Sequence, residues 1–204
     1  MRIALALALL ACSPSPDRPA SRADSVRQRV ARVGNCWRTP VITTGGVASV
    51  RVGSTVASLP RNCPSHDTTF TLGEGLMEHG VVVRASGHEL LAVTTGDTTG
   101  VISRVLVRDS LFRTAAGVGV GSTVGALRAA YEGAICAMMG EGKIVARSPR
   151  LPGVSFVLDT DFRSVPGGGR LEASPSLLPD SSRVTAVWLY EAGLEGGGSC
   201  VGVE

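Results

Sequence analysis

Features typical of membrane-spanning and nucleic-acid-binding proteins are scarce in this sequence. Aromatic residues make up only 4% of the chain, so any core is mainly aliphatic. The formal net charge of +3 is small and scattered, which argues against binding to nucleic acid. The longest apolar run is far shorter than the ~20 residues of a transmembrane helix. With 44% hydrophobic and 18% charged residues, the composition is that of a folded globular chain.

The usual catalytic motifs are missing too. The chain has no HExxH, GxSxG or P-loop pattern, and no GxGxxG after a strand. His66, His79 and His88 show no metal-ligand spacing, and no two cysteines form a CxxC pair. The tripeptide "SHD" at 65–67 is no triad, because triad residues are brought together by the fold and not by adjacency. We therefore predict no catalytic residue, no metal and no cofactor.

The N-terminus carries the first positive signal. Arg2 precedes a nine-residue apolar run, 3–11, which suits a secretory signal peptide. The run ends in "LLAC" (9–12), which resembles the lipobox of bacterial lipoproteins. That resemblance implies cleavage of 1–11 and lipidation of Cys12. The alternative is an ordinary signal peptide cut nearby, with Cys12 incidental.

The segment that follows supports export to the cell envelope. Residues 12–25 are rich in serine, proline and charge and lack apolar periodicity, so they are predicted to form a flexible tether. In the lipoproteins that the lipobox resembles, an aspartate after the cysteine signals retention in the inner membrane, so the resemblance implies that Ser13 directs the protein to the outer membrane, facing the periplasm or the cell surface. Without lipidation the protein is expected to be secreted. The protein is therefore predicted to attach to the membrane through a lipid anchor.

Four further cysteines, an even number in an exported chain, predict two disulfides with three possible connectivities. If each half of the chain closes on itself, Cys36 pairs with Cys63 and Cys136 pairs with Cys200. The alternative Cys63–Cys136 bond would join the halves and leave Cys36 to meet Cys200.

Two short motifs recur in the same order. "VGSTV" occurs at 52–56 and 120–124, and "GEG" at 73–75 and 140–142. Ser54 and Ser122 are predicted to be helix N-caps, and Pro60 is predicted to stop the first helix after about one turn. Apolar segments typical of three strands follow each GEG motif. The pattern indicates an internal repeat.

These observations predict an α+β fold of two tandem modules, each a short helical segment packed on a three- to four-stranded antiparallel sheet. The first module, 26–110, begins with an N-terminal helix. The second, 113–204, contains a long loop at 160–182. Loops of that length are either disordered or functional, and the low apolar content here favours disorder over a binding loop.

The paired "VGSTV" motifs, the helical "VGSTVGALRAAY" and the cysteine after each copy resemble two families. One is the BamE-type outer-membrane lipoproteins, and the other is the secreted β-lactamase inhibitor protein with its two tandem modules. The resemblance implies helices packed against one sheet face. It implies no inhibitory activity, since Pro60 breaks the first helix and the cysteine spacing differs.

Two pairs of residues are candidates for a site. Glu74 and Glu141 occupy matched GEG positions and are weak candidates for paired carboxylates, with exposure in a turn as the simpler explanation. Trp188 and Tyr190 share one face of the last strand. Both aromatic side chains are expected to be buried. If the opposite face of the strand covers the core instead, they form an exposed patch for interaction.

The predicted function is a non-enzymatic envelope lipoprotein that binds a protein or a glycan, or serves assembly. The alternative is an envelope hydrolase or metal-dependent enzyme with its site at the module interface. A pocket that holds Glu74, Glu141 and a histidine would favour that alternative.

Overall fold

The fold is dominated by β-strands in a computed structural model, which describes residues 35–71, 75, 77–95, 100–140, 142–161 and 178–192. The strands are β1 Val41–Thr43, β2 Gly46–Val47, β3 Val50–Arg51, β4 Ser65–Thr71, β5 Met77–Ala85, β6 His88–Thr94, β7 Ile102–Val107, β8 Arg113–Thr114, β9 Cys136–Gly140, β10 Lys143–Arg147, β11 Val154–Leu158 and β12 Val184–Tyr190. Helical structure in these ranges consists of helix α1, Val124–Ala130, and 3₁₀ turns at Asn35–Trp37 and Val56–Ser58.

The strands form a large and a small sheet. The large sheet has eight strands in the order β4-β5-β6-β7-β12-β11-β10-β9. It consists of two four-stranded antiparallel meanders, β4–β7 and β9–β12, which meet where β7 pairs with β12. The small sheet has the order β3-β2-β1-β8, with β1 and β8 parallel. A single sheet therefore runs through both halves of the chain.

One face of the large sheet, here called the inner face, carries the main core. Side chains alternate between the faces along a strand, and Val83, Val105 and Val187 point to the inner side. The small sheet and α1 pack in the same core, to which they contribute Ile42 and Leu127. Other large side chains that are fully buried are Trp37, Phe112, Phe156, Leu90, Ile102, Ile135, Ile144, Leu178 and Leu189.

Trp37 anchors the start of the described chain to this core. Its ring is fully buried and lies edge-on to Phe112, with 5.1 Å between the ring centroids. Its indole N–H donates to the carbonyl of Ala85 at 2.9 Å, so the polar atom keeps a partner inside the core. The tryptophan thus connects the segment before β1 to the end of β5.

The two copies of "VGSTV" make matching contacts. The Gly53 N–H donates to the carbonyl of Ile102, the first residue of β7, and the Gly121 N–H donates to that of Val184, the first residue of β12. Both glycines have positive φ, +82° and +85°, where a side chain would be strained. Each copy therefore holds the chain against the start of the last strand of its meander.

The predicted fold class is wrong. The chain is mostly β, with sheets of four and eight strands, and its described part contains one short α-helix, so two helix-on-sheet modules do not form. The first copy of "VGSTV" leads into only a three-residue 3₁₀ turn, which ends at Ser58, two residues before Pro60. The pairing of β7 with β12 merges the predicted separate sheets into one.

The predicted N-caps are also misplaced by one residue. The caps are Thr55 before the 3₁₀ turn and Thr123 before α1, and the Thr123 hydroxyl oxygen accepts from the Ala126 N–H at 3.2 Å. Ser122 instead accepts from the Gly119 N–H and holds the preceding turn. Either hydroxyl suits an N-cap, so sequence alone did not separate Ser from Thr in this motif.

The first predicted disulfide is confirmed. Cys36 and Cys63 are bonded, with their Cα atoms 5.0 Å apart. Cys136 is also disulfide-bonded, but its partner lies outside the described residues. The pairing with Cys200 therefore stays a prediction.

Several other predictions fall outside the described residues. They concern the signal peptide and tether with Cys12, the helix before Asn35, the carboxylates Glu74 and Glu141, and most of the loop 160–182. Within the described ranges, no helix is long and apolar enough to cross a membrane.

Replacing both Cys36 and Cys63 with alanine is expected to lower the free energy of unfolding by about 3 kcal/mol. The bond closes a loop with a sequence separation of 27, and its loss restores conformational freedom to the unfolded chain. Urea denaturation monitored by circular dichroism measures the change. A loss below about 1 kcal/mol would contradict the expected role of the bond.

Candidate functional site

The face of the large sheet opposite the core, here called the outer face, is apolar over much of its area. Its second hydrophobic cluster contains Leu106, Val145, Val157 and Trp188, with Tyr190 packed at its border. One row of directly paired residues crosses all eight strands on this face: Cys136, Arg147, Ser155, Trp188, Leu106, Leu91, Val82 and His66. The sheet therefore presents apolar surface on both sides.

Trp188 and Tyr190 lie together on this outer face. Their neighbours Val187 and Leu189 belong to the main core, as period-two alternation requires. Trp188 is nevertheless only 9% exposed, and Tyr190 is half-buried. The two rings thus form part of a packed cluster, and the accessible apolar surface lies further along the row.

A hollow of about 180 Å³ marks that accessible region over strands β4 to β7. Its floor is apolar and includes the half-buried side chains of Phe70, Val82 and Leu91. Its rim carries the charged side chains of Glu89 and Arg108. An apolar floor with a few polar groups at the edge is the usual composition of a binding site.

Gly80 shapes the hollow. A Cβ atom at this position would lie 2.8 Å from the carbonyl oxygen of Ala92 and 3.1 Å from the ring of Phe70. Because the glycine has no side chain, the Phe70 ring lies close to the backbone of β5, where it lines the hollow. The ring position therefore depends on the absence of a side chain at residue 80.

An ion pair of a buried arginine and a half-buried glutamate lies beside the hollow. Arg104 on β7 is 8% exposed and donates to a carboxylate oxygen of Glu78 on β5 at 2.6 Å. The guanidinium also lies 5.7 Å from the centre of the Tyr190 ring, within the range of a cation–π interaction. The pair reaches across β6 and so links three strands of the first meander to the last strand of the second.

A second buried arginine lies at the other end of the outer face. Arg147 on β10 is also 8% exposed, and its Nε–H donates to the Ser155 hydroxyl at 2.7 Å. Its Nη1 atom has no hydrogen-bond partner in the described part of the structure. The guanidinium is thus buried beside a neutral group only.

The three histidines, which have no metal-ligand spacing in the sequence, do not converge on one site in the described structure. His66 lies on the outer face of β4 and His79 on the opposite side of β5, while His88 contacts Asp109 at 2.8 Å. No group of three or more His, Cys, Asp or Glu side chains in the described ranges has metal-binding geometry. Glu74 and Glu141 lie outside those ranges.

The hollow and the two buried arginines were not predicted from sequence. Phe70, Val82 and Leu91 look like ordinary strand residues, and only the pairing of four strands brings them together. A usable signal existed for Arg104 and Arg147, since each interrupts an otherwise apolar strand near its middle or end.

Comparison with known proteins adds little. No protein-family model and no curated protein matches the chain. Among solved structures, the chain is similar to the uncharacterized protein YfeY from Escherichia coli, with 15% identity, a TM-score of 0.47, and coverage of 74% of this chain and 97% of that one. A likeness at this level carries no argument about function. These comparisons give no support to the resemblance to BamE-type lipoproteins or to the β-lactamase inhibitor protein.

Substitution of Gly80 by alanine is expected to destabilise the protein by about 1–3 kcal/mol, because the Cβ would collide with the Ala92 carbonyl oxygen, a backbone atom that cannot move away. Gly125→Ala in α1 is the matched control. Its Cβ would meet Asp180 at an ordinary 3.4 Å, so the helix preference for alanine should leave stability equal or higher. Urea denaturation of both variants tests this, and equal stabilities would contradict the role given to Gly80.

Proposed function

We propose that this protein is a non-enzymatic cell-envelope lipoprotein that binds a partner protein through the outer face of its large sheet. The observation that carries the proposal is the hollow over β4 to β7, with its half-buried apolar floor and charged rim. In this proposal an apolar side chain of the partner enters the hollow. Polar residues of the partner around that side chain face the charged rim.

The chemistry of the face supports binding rather than catalysis. Its polar groups are mostly engaged with one another: Arg84 with Glu89 at 2.6 Å, and Arg104 with Glu78 at 2.6 Å. A catalytic site needs a nucleophile or base that faces a substrate. The ion pairs named here instead hold charged side chains in fixed positions on an apolar surface. Such an arrangement suits recognition of a partner.

The envelope location rests on the sequence. The apolar run 3–11 followed by "LLAC" supports export and lipidation of Cys12, and Ser13 supports the outer membrane. The Cys36–Cys63 bond fits an oxidising compartment, where disulfides persist. The lipid would tether the domain at the membrane, and residues 12–25 would let the outer face reach a partner.

The proposal includes an internal repeat. The matching contacts of the two "VGSTV" copies and the two four-stranded meanders support descent of both halves from one unit. The copies then diverged on the outer face. It is half-buried around Phe70 and Leu91 in the first meander and buried around Val145 and Val157 in the second. This divergence supports a binding surface in the first half rather than the second.

The alternative of a hydrolase or metal-dependent enzyme is not carried by the described residues. It depended on Glu74 and Glu141 in one pocket with a histidine, and both carboxylates lie outside the described ranges.

A photoreactive amino acid at position 68 is expected to crosslink to an envelope protein in living cells. Thr68 lines the hollow on the outer face, whereas Thr69, its neighbour on β4, points to the opposite side and is the matched control. Mass spectrometry identifies the crosslinked species. Equal crosslinking from position 69 would place the interface elsewhere, and capture of a glycan alone would contradict a protein partner.

Mass spectrometry of the mature N-terminal peptide is expected to show cleavage before Cys12 and a diacylglycerol on its sulfur. Replacement of Cys12 with alanine should release the protein from the membrane fraction, because a lipid anchor is the only membrane attachment proposed. An unmodified N-terminus downstream of Cys12 would refute lipidation and leave secretion.

A further inference from the structure

Arg108 is an exposed and unpaired charge at the rim of the hollow. Its side chain lines the hollow together with that of Glu89. Glu89 is engaged elsewhere, since the Nε–H and Nη2–H groups of Arg84 both donate to its Oε2 atom, at 3.0 and 2.6 Å. Within the described part of the chain, no ion pair or side-chain hydrogen bond involves Arg108.

The strand register explains why Arg108 lacks a carboxylate partner. The β6–β7 ladder, continued by two residues, places Glu89 opposite Arg108. Glu89 also pairs directly with Arg84 on β5, so one glutamate lies between two arginines. On the other side, the β7–β12 ladder continued by one residue places Ala186 opposite Arg108, and Ala186 is a buried member of the apolar cluster. The neighbouring strands therefore provide no carboxylate for Arg108 alone.

The next residue along the chain, Asp109, is directed to the other side of the sheet. Its Oδ2 atom lies 2.8 Å from Nδ1 of His88. His88 alternates with the outer-face residues of β6 and shares the inner side with the core residue Leu90. Asp109 is therefore engaged on the inner side and does not face the hollow.

The charges around the hollow do not balance. At one end, Arg84 and Arg108 face the single carboxylate of Glu89. Near the other end, Arg104 and Glu78 neutralise each other. These five side chains leave one positive charge, located at the end of the hollow where Arg108 lies. An acidic group of a partner would complement that charge, and a basic group would be repelled by it.

Arg108 is close enough to the apolar floor for one partner segment to contact both. It lies two residues after Leu106 on the same side of β7, and two residues along a strand span about 6.6 Å. Adjacent residues of a chain have Cα atoms about 3.8 Å apart, and their side chains extend this reach. Two neighbouring residues of a partner can therefore place one side chain in the hollow and the other on Arg108.

We propose that the partner protein carries an acidic side chain next to the apolar side chain that enters the hollow, and that Arg108 binds its carboxylate. The planar guanidinium matches a carboxylate in shape and can donate two parallel hydrogen bonds to it. Because Arg108 is exposed, a partner reaches it without any rearrangement of the sheet. This inference rests on the proposed binding function and names the pair of residue types that the partner must present.

The test uses capped dipeptides as probes, on the full chain with Cys12→Ala so that no lipid is attached. Methyl NMR signals of Val82 and Leu91 report occupancy of the hollow at constant ionic strength. N-acetyl-Leu-Glu amide is expected to bind about 3- to 5-fold more tightly than N-acetyl-Leu-Gln amide, which is the gain from an exposed ion pair. N-acetyl-Ala-Glu amide should bind more weakly than either, because its side chain is too small to fill the hollow. Equal affinities of the Glu and Gln probes would overturn the inference.

Two variants at the rim should change this preference in opposite directions. Arg108→Gln should abolish the preference for the Glu probe, whereas Glu89→Gln should increase it, because the competing carboxylate is removed and Arg84 is released. Lys143→Gln removes the same charge from an exposed site on β10 in the second meander and is the matched control, which should leave the preference unchanged. A loss of preference in all three variants would indicate a general charge effect and overturn the site.

Charge reversal separates recognition from a structural role. Arg108→Glu should make the protein prefer N-acetyl-Leu-Lys amide to N-acetyl-Leu-Glu amide, a change that misfolding cannot produce. The substitution is at an exposed position, so the free energy of unfolding should hardly change. Unchanged preference for the acidic probe in this variant would overturn the role of Arg108.

Other outcomes separate the sources of the carboxylate and the two proposals. Octanoate, an apolar chain with a carboxylate, should bind more weakly than the Leu-Glu probe, and tighter binding would overturn a protein partner in favour of a lipid. No acidic preference, together with a protein crosslinked from position 68, would refute this inference alone. An acidic preference that depends on Arg108, without any crosslinked protein, would refute the proposed function and leave the chemistry of the site.

Discussion

The pairing of β7 with β12 is the contact on which the architecture depends. Four residue pairs, from Val107 opposite Val187 to Arg104 opposite Tyr190, join the last strands of the two meanders. Without this ladder each meander would have an open edge at its most apolar strand, which is a site for aggregation. With it, the edge strands of the large sheet are β4 and β9, and β4 has the polar sequence Ser-His-Asp-Thr-Thr that discourages further pairing.

Because the two meanders join, one sheet that is apolar on both faces runs through both halves of the chain. The two halves differ in how far the residues of their strands are buried. In β11 every residue is buried, as expected of a strand covered on both sides. In β4 no residue is buried, and in β5 buried and exposed residues are mixed. The outer face therefore grades from a closed cluster around Val157 to an open hollow around Phe70. On this face the accessible apolar surface therefore belongs to the first meander.

The sequence predicted much of the secondary structure and little of its assembly. Strands β5 to β7 and β10 to β12 were found because their runs of Val, Ile and Leu are long and bounded by turns. Strand β4 was missed because its edge position allows polar residues that give no hydrophobic pattern. The α+β prediction failed because a helical segment was expected to pack on a sheet in each half, whereas the first copy forms only a three-residue 3₁₀ turn before Pro60 and strands make up most of the fold. The β7–β12 pairing is a contact between residues about 80 positions apart in sequence, and no local pattern encodes it.

The candidate site shows the same division between local and assembled features. The shared face of Trp188 and Tyr190 follows from alternation along one strand, and was therefore visible in the sequence. The hollow requires Phe70, Leu91 and Leu106 from three different strands, so only the register reveals it.

Two buried arginines, Arg104 and Arg147, lie on the apolar outer face. A face selected only for burial would hold aliphatic residues at both positions, because an ion pair in an apolar setting seldom adds net stability. Glu78 and Arg104 instead connect β5 to β7 across β6 through one specific geometry, which a one-residue slip of either strand would break by moving that strand's charge to the inner face. The presence of this ion pair is therefore explained by its role in fixing the strand register. Arg147 and Ser155 are direct neighbours on β10 and β11, whose register the apolar pairs already determine. A register role is therefore not needed at Arg147.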